Sequence, residues 1–296
     1  MACGLWAWAS IATSAQELEP RAYAASPVGL NFLVVVAGRS TGGVLLDPSL
    51  PIEDVQATVN SLALGYGRTF SLFGHTALAV AAVPFARADA SGLVADTPGR
   101  VSRSGLADPR LKLSVNLVGG RALTPREFAR ANRRPTIIGV SLAVLPPLGQ
   151  YDRTNLINLG SNRWSFKPEV GVSHAITRWT MEGYAGVWTF TANDQFYRGT
   201  SIRTQEPVVA LQGHVSYTLR PRLWFSGDAT WYSGGTTSVD GVQKADLQRN
   251  SRVGATVSLA LSRRQSFKIS GSTGATTRVG ADFKTLAVAW QLAWFD

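Results

Sequence analysis

The sequence predicts an all-β chain. It reads as a single antiparallel up-and-down transmembrane β-barrel of about 12 strands, with one short periplasmic helix near 125–132. Three observations carry this. First, Phe283–Phe295 places Leu286, Val288, Trp290, Leu292 and Trp294 on every second residue, with Thr285, Ala287, Ala289, Gln291 and Ala293 between them. A strand sends alternate side chains to opposite faces, so one face is large and apolar and the other small or polar. Taken alone, this segment could also close a soluble sandwich. Second, the strand-like segments are separated by gaps that alternate between long and short, the pattern of a membrane barrel with long outer loops and tight periplasmic turns. Third, charged residues make up only 16% of the chain against 9 Trp and 29 Gly. That suits a wall with one face in lipid and Gly at crowded bends.

In chain order, residues 1–15 are apolar and then small, and Thr13-Ser14-Ala15 resembles a cleavage site. They read as a signal peptide lacking its basic start. Cys3 is the only cysteine, so the exported chain would carry no disulfide or Cys-based metal site. Residues 16–27 are expected as a periplasmic N-terminal segment, and 28–296 as the outer-membrane barrel. No run of about 18 apolar residues occurs, so no spanning helix is expected.

The expected strands are 28–37, 55–69, 76–86, 108–118, 136–146, 164–175, 179–191, 207–219, 223–233, 250–261, 266–272 and 283–295. Residues 38–54, 87–107, 147–163, 192–206, 234–249 and 273–282 read as long loops, and 70–75, 176–178, 220–222 and 262–265 as turns. Residues 119–135 should be a turn but are long. Within them Thr124-Pro125-Arg126-Glu127 carries an N-cap, a Pro in the first turn and a Glu three residues on, predicting a helix over about 125–132. Arg121, Arg126, Arg130, Arg133 and Arg134 make this piece basic, a solvated surface or a contact for anionic head groups.

Alternation also sorts each strand by face. Arg110, Lys112, Ser114 and Asn116 oppose Leu111, Leu113, Val115 and Leu117, and charge is costly at the lipid midplane, so the first set points inward. The same logic turns Lys167, Glu169, Gln212, His214, Arg252 and Lys268 into the lumen; the seventh and ninth strands alternate less cleanly, and if Glu182 and Asp228 also point inward, Tyr184 and Trp188 join Glu182 there. These thirteen residues, Ser114 aside, are the candidates for the lumen and solute path. Buried charges need partners, so paired networks are expected among them. The first strand is apolar on both faces, and its inner side is expected to pack on a plug or on other interior side chains.

Several short motifs carry a family likeness. They are Leu106–Arg110, Leu123–Phe128, Pro147–Asp152, the run Asn155–Glu169, Pro221–Trp224, Ser233–Thr236 and Thr277–Phe283. On these the chain resembles the outer-membrane transporter-like family of the meta pathway of phenol degradation. The resemblance implies a barrel in the cell outer membrane that moves small, often aromatic, hydrophobic compounds, and it transfers no catalytic residue. The chain departs from the usual ending of such barrels, because Asp296 follows Phe295.

The expected partners are outer-membrane lipid, a small organic solute and, during biogenesis, the barrel assembly machinery. The net charge of +10 is scattered over strand ends and turns, which points away from nucleic acid. No cofactor or metal is expected: three His without clustered acids do not make a zinc site. The function expected is passive passage of small organic compounds through a polar-aromatic lumen. The alternatives are a closed structural or adhesive barrel acting through its loops, and a lipid hydrolase built on His214 and Ser216. For the last, the sequence shows no acid placed to orient the His, and strand parity puts the pair in the lumen.

Overall fold

The computed structural model describes residues 18–45, 52–94, 97–131, 135–197 and 199–296. The proposed signal peptide at 1–15 lies outside them. The strands are, in chain order, β1 (Leu30–Leu45), β2 (Ile52–Leu72), β3 (His75–Val94), β4 (Thr97–Leu106) and β5 (Arg110–Val118). After helix α1 (Pro125–Arg130) come β6 (Thr136–Leu145), β7 (Ser165–Ile176), β8 (Trp179–Phe190), β9 (Asn193–Phe196) and β10 (Ser201–Gln205). The chain ends with β11 (Val208–Arg220), β12 (Leu223–Gly234), β13 (Thr237–Val239), β14 (Val242–Gln243), β15 (Gln248–Ala260), β16 (Gln265–Thr276) and β17 (Gly280–Phe295).

Twelve of these form a closed antiparallel ring, in the order β1-β2-β3-β5-β6-β7-β8-β11-β12-β15-β16-β17 and back to β1. The seam is the expected one. β17 pairs with β1 from Leu30↔Phe295 to Leu45↔Gly280. Full closure leaves no strand edge, the condition for a sheet in hydrocarbon. Among the described residues, no helix is long and apolar enough to cross a membrane.

The strand count agrees with the sequence, but several boundaries do not. β1, β2 and β3 run well past their expected ends. Within 87–107, expected as a loop, residues 87–94 are instead the outer half of β3 and 97–106 its partner β4. Their alternation is of Ala with polar residues rather than of large apolar groups, because a strand that rises beyond the lipid needs no apolar outer face. The fourth wall strand is broken at Ala107-Asp108-Pro109. β4 pairs with the outer part of β3 and β5 with the inner part. Pro109 lacks the N–H that a continuous ladder would use at that point. The expected loops at 192–206 and 234–249 also hold structure, the small sheet β14-β13-β10-β9.

The helix is shorter than expected and ends at Arg130, with Ala131 as its C-cap. Asn132, Arg133 and Arg134 lie outside the described residues. Its start is a capping box: the Glu127 N–H donates to Thr124 Oγ1 and the Thr124 N–H donates to Glu127 Oε2 at 2.8 Å. The preceding residues dock on the first periplasmic turn, with the Ala122 N–H donating to the Gly74 carbonyl at 2.9 Å.

The N-terminal segment, expected over 16–27 and described from residue 18 onward, lies against the inner wall. Glu19 and Tyr23 are buried inside the barrel, and the chain leaves the lumen past Val28, whose N–H donates to the Leu123 carbonyl at 2.9 Å. The inner side of β1 packs on interior side chains: Phe32 is fully buried against Val80, Leu78 and Ala293. Outside, Leu62, Leu64, Leu111, Val170, Leu211, Val257 and Leu286 present an exposed apolar belt. Together with the closed ring, this places the protein in the outer membrane.

Candidate functional site

The lumen is built by strand parity. Of the thirteen candidates, twelve are buried and Lys112 is half-buried. The structure brings most of them together around residues 19–23. Glu19 meets Arg110 Nη1 at 3.2 Å and Lys112 Nζ at 2.6 Å. Lys167 Nζ pairs with Glu169 at 2.7 Å, and Lys112 lies 3.8 Å from the same carboxylate. Burial alone would raise the Glu19 carboxyl, but Lys112, Arg110 and Lys167 outweigh it and hold the group down at about 2.

The rest of the segment is fixed by neutral and charged donors. The Arg21 N–H donates to Glu182 Oε2 at 2.7 Å, and the Ala22 N–H to the Tyr184 hydroxyl at 3.2 Å. The Tyr184 hydroxyl in turn donates to Glu182 Oε1 at 2.8 Å. The Arg21 guanidinium donates to Thr218 and sits 4.3 Å over the Trp224 ring. The Glu19 N–H donates to Gln212 at 3.3 Å. The Tyr23 hydroxyl donates to Glu169 at 3.1 Å and shares a hydrogen bond with Ser141. Burial, then Glu169 beside it, pushes the Tyr23 phenol up, so it stays protonated. Its ring lies against Gly139 and Gly171, which are paired across β6 and β7; a Cβ at either would overlap it.

His214, Asp228, Arg252, Lys268 and Trp188 lie around this centre. His214 Nδ1 is 2.8 Å from Asp228 Oδ1, its cross-strand partner, and Ser226 and Thr256 donate to the same carboxylate. So an acid does orient the histidine. The sequence hid it because Asp228 belongs to the next strand. Ser216 is fully buried and its Oγ has no hydrogen-bond partner among the described residues. The group faces the lumen, not lipid. Arg252 donates to Ser272 and to the Phe283 carbonyl at 2.8 Å. Lys268 lies 5.8 Å from the Trp224 ring centre. Trp188 is fully buried with Leu145, Val208, Ala210 and Tyr232, and Lys167 Nζ approaches its ring at 5.7 Å. Asn116 packs by Gly120 and Gly139.

At the outer end, the loop 146–164 is tied to the break in the fourth strand: Asp108 accepts from the N–H groups of Gly149 at 2.9 Å and Ser161 at 2.8 Å, and from the Ser161 hydroxyl at 2.6 Å. Leu159 packs on Ala57, Val59, Ala86, Ala88, Ala90 and Phe283. Arg163 at the loop's end stacks 4.3 Å over Phe190, and burial, then Arg203, pushes its guanidinium down to about 9.

Glu19, Arg21 and Tyr23 were missed as lumen residues by sequence reasoning. One signal for them existed. The expected lumen held five cations, Arg110, Lys112, Lys167, Arg252 and Lys268, against three acids, Glu169, Glu182 and Asp228. A dry interior demands an acid from elsewhere, and Glu19 supplies it.

Comparison with known proteins agrees with this architecture. An outer-membrane channel from Pseudomonas putida F1 superposes with a TM-score of 0.80 at 20% identity, over 94% of this chain and 100% of that one. The transport unit of the autotransporter AIDA-I from Escherichia coli gives 0.50 at 9% identity, over 90% of each. At such identities the likeness is one of fold. No curated protein matches in sequence. The model of a family described as the putative MetA-pathway of phenol degradation matches residues 37–292, and the chain belongs to that family.

Proposed function

We propose that the protein is a passive outer-membrane channel for small aromatic or hydrophobic organic compounds, and that the path runs through the lumen once residues 18–29 give way. The observation that carries this reading is the stopper itself. It is held by hydrogen bonds and ion pairs to side chains of the wall and by one small apolar cluster of Tyr23 with Ile137 and Tyr184, and none of these contacts belongs to the strand ladders, so it can leave and return without unfolding the barrel. Removing it uncovers Tyr184 and Trp224 beside Arg110 and Lys112, an aromatic-polar surface of the kind that takes a small phenolic ring. The description of the family, tied to phenol degradation, supports the same solute class.

The test is solute-dependent swelling of liposomes, and conductance in planar bilayers, with phenol, catechol and a sugar of similar size. Faster entry of the aromatics through the barrel than through protein-free liposomes supports the reading. An intact barrel that passes none of them, even without residues 18–29, sinks it. That outcome would favour a closed barrel working through its outer surface, a reading consistent with the small sheet β9, β10, β13 and β14 above the wall.

A further inference from the structure

The outward face of β17, β1, β2, β3 and β4 changes character abruptly near its outer end. Cross-strand pairing defines four successive rows. The lowest is Val288–Ala37–Leu62–Phe85–Leu106, with Leu62, Phe85 and Leu106 about half exposed to the surroundings of the barrel. The next is Leu286–Arg39–Asn60–Arg87–Ser104, and above it lies Lys284–Thr41–Thr58–Asp89–Ser102. The fourth is Asp282–Gly43–Gln56–Ser91–Arg100. Rows are two residues, roughly 7 Å, apart along each strand. The lipid boundary of the outer leaflet therefore falls between Leu62, Phe85 and Leu106 and the Arg39–Arg87 row.

At that boundary Arg39, Arg87, Lys284 and Arg100 are all exposed. Arg39 and Arg87 are two strands apart, about 10 Å. A cleft of about 200 Å³ opens beside them, lined by Thr41, Gln56, Thr58, Asp89, Ser91 and Arg100. Two acids, Asp89 and Asp282, share the sector. Asp89 takes up part of Arg87 through a 3.4 Å contact between side chains 65% and 38% exposed, a pair too open to hold the arginine. The opposite wall differs. On the outer halves of β7, β8, β11 and β12 the outward positions are Phe166, Val187, Val209, Leu211 and Trp231, without a Lys or Arg.

We propose that this sector is a binding site for the phosphorylated glycolipid of the outer leaflet. Its phosphates would lie between Arg39, Arg87 and Lys284, where guanidinium groups bind phosphate oxygens in pairs. Its sugar hydroxyls meet Asn60, Thr41, Thr58 and Gln56. Its acyl chains run down over Leu62, Phe85 and Leu106. A simple phosphodiester lipid offers one charge and no sugar face, and fills only part of this surface.

The test uses the whole folded barrel in detergent with four probes: diphosphoryl lipid A, dephosphorylated lipid A, phosphatidylglycerol and inorganic phosphate. Native mass spectrometry reads bound lipid, and heat-dependent gel mobility confirms folding. The site predicts retention of diphosphoryl lipid A at least tenfold over the other three. The combined Arg39→Gln, Arg87→Gln, Lys284→Gln variant should lose at least tenfold in retention, while Arg178→Gln with Arg222→Gln at periplasmic turns loses none. If the triple variant fails to fold, Arg39→Gln and Arg87→Gln singly should each lose about threefold. Equal retention of dephosphorylated lipid A or phosphatidylglycerol, or variants that bind as the parent does, overturns the proposal.

Discussion

Replacing Glu19 by Gln tests how the stopper is held. The side chain is buried and pairs with Arg110 at 3.2 Å and Lys112 at 2.6 Å. Gln keeps the shape and loses the charge, leaving Lys112 and Lys167 to share Glu169. Removing one member of a buried pair costs about 3–5 kcal/mol. The same pairs hold the carboxyl down from 4.5 to about 2, which corresponds to about 3 kcal/mol in favour of its charged form. Since about 1.4 kcal/mol is tenfold, the displaced state of the segment should gain roughly 100-fold in population. The barrel wall, whose ladders are untouched, should keep its thermal stability. Planar-bilayer recording at neutral pH should show more frequent and larger openings than the parent. The pH dependence has a definite sign. The folded-state pKa is depressed, so the stabilisation is fully present above 4.5 and is lost as pH falls towards about 2. The parent should therefore open increasingly across that window, and the Gln variant should show less of this response. Identical conductance of variant and parent at neutral pH would refute the idea that this ion pair seats the segment.

Other outcomes follow from the same geometry. Gly171→Ala would put a Cβ into the Tyr23 ring; overpacking of this kind costs about 1–3 kcal/mol, and liposome swelling should rise while folding yield is kept. Asp108→Ala removes the acceptor for Gly149 and Ser161, so trypsin should cut at Arg153 or Arg163 several-fold faster than in the parent. Ser216→Ala deletes a buried hydroxyl without a partner among the described residues and should be neutral, or stabilising by up to about 1 kcal/mol, with unchanged solute passage. Glu127→Ala breaks the capping box and should cost about 1 kcal/mol, seen as faster amide exchange over 125–130 with conductance unaltered.

The wall was legible because lipid imposes a rule on every strand. Leu111, Leu113 and Val170 had to face out, so Arg110, Lys112 and Glu169 had to face in, and the seam between β1 and β17 followed from closure. Beyond the lipid the rule lapses. Ala86, Ala88 and Ala90 alternate with Arg87 and Asp89 just as a strand requires, yet small side chains give little periodic signal, and the rise of β3 and β4 read as a loop. The lumen was half legible. Parity gave its lining, but which lining residues meet depends on cross-strand register, as for His214 and Asp228. Glu19, Arg21 and Tyr23 had no ladder to reveal them, since their contacts with the wall lie more than 90 residues away in the chain. Only the surplus of inward cations pointed to them.

The anchors of residues 19–23 also bear on how the protein is made. Arg110 and Lys112 are on β5, Ser141 on β6, Glu169 on β7, Glu182 and Tyr184 on β8, Gln212 and Thr218 on β11, and Trp224 on β12. None is on β1 or β17, the two strands that form the seam. An open sheet of the middle strands already carries this whole set of anchors. Seating residues 19–23 therefore asks nothing of the seam, and the neutralisation of the wall's inward charges is independent of how β1 meets β17.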